Sequence, residues 1–312
     1  MTALAGVTAR AWLSRLSGKS SPALLAALAL LVVAIFLPRL KLAHDTYDYI
    51  VIFDITQSMD VEDYELAGTP VSRLNYARDA VQKVLRELPC GSRVGWGAFA
   101  EYRSLLLLAP VEVCDNYNDL IASLHEIDGR MRWANASEVG KGVYWSVRVA
   151  LNTESKPDVV FISDGHEAPP LDPVEPVSMP DDVQPGQIHG WVVGAGSDIP
   201  APIPKTDEDD RRIGFWESHD VIQLVSPDGT RVVSAEHLSS LREPHLRALA
   251  ERVGFGYTRL SGTDSIRSAM RDPRFIRQSP APTDLYWIPL SAALLLLIAH
   301  FRPDGWRSPR GL

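Results

Sequence analysis

Three oxygen-bearing side chains, Asp54, Thr56 and Ser58, occupy alternate positions directly after an apolar run near the start of the chain. The run, residues 49–53, is rich in β-branched and aromatic residues, which is typical of a strand buried on both faces. If the strand ends at Asp54, one carboxylate and two hydroxyls stand together in the loop that follows. Oxygen ligands held in this way suit a small hard cation such as Mg²⁺.

Two more groups of the same kind come later in the chain. Residues 158–163 are predicted to form another buried strand, and Asp164 follows it directly. Between the two strands, a loop leads into a predicted helix with Ser137 as its expected N-cap. Doubly wound sheets bind ligands beyond the carboxyl ends of their strands. We therefore expect Ser137 and Asp164 to meet the first three side chains at one edge of a sheet.

The middle of the chain predicts an α/β fold with a doubly wound, mainly parallel, Rossmann-like sheet, because predicted strands alternate with predicted helices. The predicted strands are residues 47–55, 93–100, 104–109, 158–163, 187–193 and 256–260. The predicted helices are residues 71–88, 117–127, 138–151 and 243–253. The second and third strands are close enough along the chain to form an antiparallel hairpin. Residues 169–185 are predicted to be a loop, and residues 197–240 an insertion with a hairpin at 221–233.

The order of these polar residues resembles the von Willebrand factor A (VWA) domain. The pattern is Asp-x-(Ser/Thr)-x-Ser, then a loop hydroxyl, then Asp-Gly after a strand. The resemblance implies a metal-ion-dependent adhesion site (MIDAS) made of Asp54, Thr56, Ser58, Ser137 and Asp164. It implies Mg²⁺, or another divalent cation such as Mn²⁺ or Ca²⁺, whose open position takes an acidic side chain of a protein partner. Thr56 stands where serine is usual and Ser137 where threonine is usual, and both keep the oxygen ligand.

Two further stretches resemble particular groups of bacterial VWA proteins. Residues 243–257 are similar to the last helix and strand of membrane-anchored bacterial members, including Bat-type proteins, which are often encoded beside MoxR-type AAA+ ATPases. Residues 53–59 are similar to proteins of methanol-oxidation gene clusters. The resemblance implies metal-dependent recognition during assembly or maturation of a periplasmic enzyme, with methanol dehydrogenase as the most specific example. Other VWA proteins and a MoxR-type ATPase are the implied partners.

Three alternatives stay open. One is a Bat-like stress-tolerance component that works with a MoxR-type ATPase. Another is a membrane scaffold with a vestigial metal site. The third is a metal-dependent hydrolase, which the sequence disfavours because it offers no nucleophile with a flanking base and no second metal cluster. We therefore expect a binding protein and no enzyme.

Apolar stretches near both ends predict two transmembrane helices, at residues 22–38 and 285–301. A cleaved signal peptide is the alternative for the first and a buried core helix for the second. Basic residues outside both stretches predict cytoplasmic tails, residues 1–21 and 302–312, and an inner-membrane protein whose main domain is periplasmic. That domain is expected at residues 45–262, with a juxtamembrane segment at 263–284. The net charge of −8 argues against nucleic acid as a partner.

Five further residues are predicted to form a disulfide or to contact a partner. In an oxidising compartment Cys90 and Cys114 are expected to form a disulfide, because they flank two strands of a predicted hairpin; two separate buried thiols are the alternative. Trp133, His166 and Glu167 lie in the predicted metal loops and are candidate partner contacts. The alternatives for them are a core tryptophan and an ordinary exposed loop.

Overall fold

Six strands form the central sheet of the computed structural model, which describes residues 21–38, 40–171, 180, 182–222 and 235–301. The strands of the described residues, in the central sheet and outside it, are in chain order β1 (Leu40–Thr46), β2 (Asp48–Asp54), β3 (Tyr64–Leu66), β4 (Thr69–Val71), β5 (Arg93–Ala100), β6 (Arg103–Glu112), β7 (Asp158–Ser163), β8 (Gly190–Gly194), β9 (Ala201–Pro202), β10 (Pro204–Thr206), β11 (Arg212–Phe215), β12 (Leu238–Ser239), β13 (Gly256–Arg259) and β14 (Arg277–Thr283). The sheet order is β13-β8-β7-β2-β5-β6, and only the β5–β6 pair is antiparallel. The predicted mainly parallel α/β sheet and its hairpin are confirmed.

Strand β2 lies inside the sheet, with β5 on one side and β7 on the other. Its Val51 is paired with Trp96 of β5 and with Val160 of β7. Every residue of β2 is buried. A parallel strand covered on both faces needs apolar side chains on both, which is why its sequence shows no alternation.

Helices of the same unit cover both faces of the sheet. In chain order the helices of the described residues are α1 (Ser21–Phe36), α2 (Arg73–Leu85), α3 (Tyr117–His125), α4 (Val139–Asn152), α5 (Glu243–Val253), α6 (Thr263–Met270) and α7 (Trp287–Phe301). Those that pack against the sheet are α2 to α6. Phe53 of β2 belongs to the core that includes Leu74 of α2. Ile52 belongs to the opposite core, with Val143 of α4. Alternate residues of one strand thus serve two separate cores.

The compact unit that holds the sheet runs from His44 to Ser279, beyond the expected boundary at residue 262. Helix α6 lies in this extension, and its Ile266 and Met270 are buried in the core. The segment expected to be juxtamembrane therefore begins with a helix of the folded unit. Short strands also occupy the predicted polar loop after β2, where β3 and β4 form an antiparallel pair.

The described part of the insertion at residues 197–240 contains four very short strands. Strand β9 pairs with β12, and β10 pairs with β11, both antiparallel. Most of the hairpin predicted at 221–233 lies outside the described residues, as does part of the predicted loop at 169–185. Strand β8 begins at Gly190, later than the predicted start at residue 187.

The expected disulfide is confirmed. Cys90 precedes β5 and Cys114 follows β6, and their α carbons are 5.3 Å apart, within the usual range of about 4.4–6.8 Å. Because β5 and β6 are antiparallel, the start of one lies beside the end of the other. The bond therefore joins the hairpin at the amino-terminal edge of the parallel strands.

The described residues near the two chain ends form a second unit, drawn from residues 1–43 and 280–312. In it the apolar helices α1 and α7 contact each other. Helix α1 has 16 residues and α7 has 15, and none of the described helices is long and apolar enough to cross a bilayer. The transmembrane helices expected at 22–38 and 285–301 are therefore not supported, since a span needs roughly 17–25 residues. The predicted cytoplasmic tails lie outside the described residues, apart from Ser21.

Candidate metal-binding site

The loop after β2 folds around the Asp54 carboxylate. Its Oδ1 accepts hydrogen bonds from the Thr56 amide at 2.9 Å and from the Thr56 hydroxyl at 2.6 Å. This is the local turn that aspartate favours, with its side chain bonded to the backbone two residues on. A 3₁₀ turn, Gln57–Asp60, follows and buries Ser58. The alternating spacing read from the sequence thus serves to turn the chain around one carboxylate.

A chain of short oxygen contacts links this loop to the loop after β7. The Thr56 and Ser58 hydroxyl oxygens lie 3.2 Å apart, and the Ser58 hydroxyl donates to Asp164 Oδ1 at 3.1 Å. Neighbouring ligands of an octahedral Mg²⁺, each about 2.1 Å from the ion, are about 3 Å apart. Four of the five predicted ligands are therefore linked by a chain of contacts of 2.6–3.2 Å, close to that spacing.

Ser137, the fifth predicted ligand, is held from both sides by the backbone. Its amide donates to the Ala168 carbonyl and its carbonyl accepts from the Ala168 amide, both at 2.7 Å. The preceding carbonyl, of Ala136, accepts from the Glu101 amide after β5. The Ser137 hydroxyl is buried, with the residue 2% exposed, and has no hydrogen-bond partner. A buried hydroxyl without a partner costs about 1–3 kcal/mol, and a bound cation would satisfy it.

The donor set fits a hard divalent cation. Thr56, Ser58 and Ser137 line one common cavity, and Asp54 and Asp164 are bonded to the first two of them. All five contribute oxygen, the ligand that Mg²⁺, Mn²⁺ and Ca²⁺ prefer. When bound, such an ion would supply a positive charge and an open coordination position at the edge of the sheet.

Arg73 of α2 is the residue that sequence reasoning missed. Its side chain is completely buried, and one guanidinium nitrogen lies 2.7 Å from Asp164 Oδ2. The same group donates to the Ser239 hydroxyl at 2.6 Å and to the Ser58 carbonyl at 3.3 Å. The other end of the guanidinium pairs with Asp63 at 2.7 Å. The sequence carried a signal, because Arg73 lies four residues before the buried Ala77, on the apolar face of its helix.

Two serines outside the predicted motif also bond the carboxylates. The Ser163 hydroxyl donates to Asp54 Oδ2, and the Ser239 hydroxyl donates to Asp164 Oδ2, both at 2.6 Å. Ser163 ends β7 directly before Asp164, so its position could have been read from the strand. Ser239 belongs to β12 in the insertion, and no sequence pattern connects it with β7.

The two buried carboxylates differ in their proton affinity. Burial and the nearby Asp164 charge raise the pKa of Asp54 to about 7, against the effect of its hydrogen bonds from Ser163 and Thr56. Burial acts in the same direction on Asp164, but the Arg73 guanidinium, together with His166 and the Ser239 hydroxyl, lowers its pKa below the usual value. Asp164 is therefore ionised and compensated by Arg73. Asp54 has no cationic partner among the described residues, so its ionised form is disfavoured unless a cation binds beside it.

The candidate partner contacts have three different surroundings. His166 is buried and lines the cavity, and its Nδ1 has no hydrogen-bond partner. Glu167 also lines the cavity, but its carboxylate accepts from the Val139 and Gly140 amides at the start of α4 and contacts His245. Glu167, and not the expected Ser137, thus caps α4. Trp133 is 40% exposed and is not among the described residues that line the cavity.

Residues 49–166 match the family model of the von Willebrand factor type A domain. The VWA match ends just after Asp164 and includes all five predicted ligands. The insertion and helices α5 and α6 follow the matched residues. A comparison with curated proteins gave no match.

Solved structures with a similar chain course include two membrane proteins. An aerotolerance-related membrane protein from Bacteroides fragilis shares 18% identity, with a TM-score of 0.49, over 72% of this chain and 96% of its own. A membrane-spanning protein from Vibrio fischeri shares 16% identity, with a TM-score of 0.29, over 72% of this chain and 93% of its own. The PilB minor pilin from Streptococcus sanguinis shares 12% identity, with a TM-score of 0.37, over 72% of this chain and 60% of its own. Each of these values describes a distant likeness.

Proposed function

We propose that this protein binds a divalent cation through Asp54, Thr56, Ser58, Ser137 and Asp164, and recognises a protein partner through that cation. The observation that carries the proposal is the buried Ser137 hydroxyl, which has no partner and lines the same cavity as two other hydroxyls. The VWA match supports it because the matched residues include the complete set. Mg²⁺ is the first candidate, with Mn²⁺ and Ca²⁺ as the alternatives of the same ligand preference.

The charges around the site favour an acidic partner. Arg73 already compensates part of the charge of Asp164. A divalent cation would therefore keep part of its positive charge for a ligand that enters from outside. A carboxylate of a partner protein supplies both the negative charge and the oxygen atom that the open coordination position requires.

We infer the process that such recognition serves from the resemblance of residues 53–59 and 243–257 to groups of bacterial VWA proteins. We propose assembly or maturation of a periplasmic enzyme, with methanol dehydrogenase as the most specific example. A Bat-like stress-tolerance role beside a MoxR-type ATPase is the second proposal of this kind. Mg²⁺-dependent crosslinking of the full-length chain in its own cells, followed by identification of the partner, separates the two.

We also propose that helices α1 and α7 attach the protein to a lipid bilayer. Several large apolar side chains of both helices are exposed, among them Leu25, Phe36, Leu295 and Phe301. Large apolar side chains exposed in such number mark a surface that contacts a membrane or another protein. Flotation of the full-length chain with lipid vesicles, compared with a variant carrying Phe36→Ser and Leu295→Ser, tests the attachment. Equal flotation of both proteins would contradict it.

The cation proposal is tested by thermal unfolding of the purified full-length chain with Mg²⁺, with Mn²⁺ and with EDTA. We expect both ions to stabilise the wild type, by about 2.7 kcal/mol when the ion is at a hundred times its Kd. Asp54→Asn should abolish this effect. Asp158→Asn is the matched control, because Asp158 is a buried carboxylate at the opposite end of a neighbouring strand. A wild-type protein that responds to neither ion would favour the scaffold with a vestigial site.

A further inference from the structure

The cavity beside the proposed cation is lined by a polar group and an apolar group of residues, called here its polar end and its apolar end. Its volume is about 250 Å³, slightly below the roughly 300 Å³ at which pockets for drug-sized ligands begin. At the polar end are the Ser58 and Ser137 hydroxyls and the His166 ring. At the apolar end are Ile203 and Trp216, both from the insertion. A cavity of this size suits one or two side chains better than a large cofactor.

The insertion holds the apolar end in a fixed position against the metal loop. The Trp216 amide donates to the Ile203 carbonyl at 3.0 Å, and the Ile203 amide donates to the His237 carbonyl at 3.1 Å. The Trp216 indole N–H is bonded to the Gln57 side chain, and Gln57 also donates to the Thr206 hydroxyl at 3.0 Å. Gln57 lies between Thr56 and Ser58, so the apolar wall is attached to the residues proposed to bind the cation.

The acidic groups of the cavity are already engaged. Glu236 pairs with Arg242 at 3.6 Å and Asp220 pairs with Lys205 at 3.5 Å. The Glu167 carboxylate is bonded to the start of α4. In contrast, the buried Nδ1 of His166 has no partner. The polar end thus offers an imidazole and, when it is bound, the proposed cation to a ligand.

We propose that this cavity is a specificity subsite for a partner segment in which one acidic residue stands beside a large apolar residue. The carboxylate occupies the polar end, where the cation and His166 can contact it. The apolar side chain occupies the other end, against Ile203 and Trp216. The proposal rests on the proposed function, and it adds that the insertion selects the residue beside the acidic one.

The test uses fluorescein-labelled peptides and the full-length chain, with Mn²⁺ or EDTA. The three peptides share the frame Gly-Gly-x-y-Gly-Gly, with Asp-Phe, Asp-Ser or Asn-Phe at x-y, and binding is measured by fluorescence anisotropy. We expect Asp-Phe to bind at least about tenfold more tightly than Asp-Ser, which is the scale of burying one aromatic side chain. Asn-Phe, and every peptide in EDTA, should not bind measurably.

Two variants assign the preference to the insertion. Trp216→Ala and Ile222→Ser should each reduce the Asp-Phe preference to within about twofold of Asp-Ser. The Kd for Mn²⁺ should stay unchanged in Ile222→Ser. Ile222 lines the cavity but is 67% exposed, so its substitution tests the subsite without disturbing the fold. Trp133→Ala is the matched control, because this exposed tryptophan does not line the described cavity. It should leave the preference intact.

Three outcomes would overturn the subsite. One is equal binding of Asp-Phe and Asp-Ser to the wild type while Mn²⁺ binds, which leaves the proposed function standing. Another is a preference that survives in both insertion variants and disappears in Trp133→Ala. The third is the absence of Mn²⁺ binding in calorimetry, which overturns the proposed function together with the subsite.

Discussion

The two edges of the central sheet both bury a pair of carboxylates, but they surround the pairs differently. At the carboxyl edge four hydroxyls donate to Asp54 or Asp164, the completely buried Arg73 pairs with Asp164, and two of the hydroxyls line a cavity. At the amino edge Asp48 and Asp158 lie 3.5 and 3.4 Å from Arg277, whose side chain is 36% exposed. The same residue types therefore build a candidate ligand site at one edge and a structural ion pair at the other. The carboxyl edge differs from the amino edge in the hydroxyls that bond its carboxylates and in the cavity beside them.

The largest expected effect comes from removing the arginine of each edge. Arg73→Met leaves Asp164 and Asp63 without their cation in a buried environment, and we expect a loss of about 3–5 kcal/mol in the free energy of unfolding. Arg277→Met is the matched variant at the amino edge, where partial exposure limits the loss to about 1 kcal/mol. Urea unfolding of the full-length chain measures both. Equal losses would show that the two ion pairs are equivalent.

The amino edge is also held covalently, which gives a second way to separate the edges. Replacing Cys90 and Cys114 together by serine opens a loop whose ends are 24 positions apart. We expect a loss of about 3 kcal/mol in the free energy of unfolding, since the bond restricts the unfolded chain. The Kd for Mn²⁺, measured by calorimetry, should stay unchanged, because the disulfide is at the opposite edge from the candidate ligands. A weaker Mn²⁺ affinity in this variant would mean that the two edges are coupled.

At the amino edge, the contribution of Asp158 to the free energy of unfolding should depend on pH. Burial raises the pKa of Asp158 from 3.8 to about 6, although Arg277 and His189 act in the opposite direction. Because the folded-state pKa lies above the unfolded value, folding favours the protonated carboxyl. The contribution of Asp158 to stability is therefore lost as the pH rises from about 4 to about 6, and it stays lost above pH 6.

Asp158→Asn removes this dependence. The free energy of unfolding of the variant, relative to the wild type, should rise by on the order of 2 kcal/mol between pH 4 and pH 6, and then stay level. Denaturant unfolding at several pH values, with EDTA present throughout, measures this difference. A difference that is flat across this range would show that Arg277 compensates the carboxylate fully.

The contrast between the edges also shows which features of the candidate site could be predicted from the sequence and which could not. That Asp54 and Asp164 lie at the same edge of the sheet was predictable, because parallel strands bring their carboxyl ends together. Arg73 was not predicted as their partner, because its contact with Asp164 crosses from a helix to a distant loop. The apolar wall of Ile203 and Trp216 was equally hidden. Strands of two to four residues, as in the insertion, are too short to show any hydrophobic period.

Helix α6 was missed for a different reason. Its buried residues, Ile266, Ala269 and Met270, recur at helical spacing. The membrane helix expected close behind it led to the prediction of a juxtamembrane segment at residues 263–284, so the helical spacing within that segment was not used.

The smallest expected effect on stability belongs to Ser137, and it separates a ligand from a structural residue. In EDTA, Ser137→Ala should leave the free energy of unfolding unchanged or raise it slightly, because the hydroxyl makes no hydrogen bond in the buried site. With Mn²⁺ the same variant should lose most of the stabilisation by the ion, with an affinity about tenfold weaker, since one oxygen ligand is missing.

Ser104→Ala is the matched control for this variant. The Ser104 hydroxyl is also buried, but it donates to the Gly142 carbonyl at 2.8 Å. Its removal should cost about 1 kcal/mol with or without the ion, because a carbonyl loses its donor. We therefore expect the two variants to behave differently. Ser137→Ala should lower the free energy of unfolding only when the cation is present, and Ser104→Ala should lower it equally in both conditions. If Ser137→Ala instead destabilised the protein in EDTA and kept its response to Mn²⁺, its hydroxyl would be structural and the cation would have to be held without it.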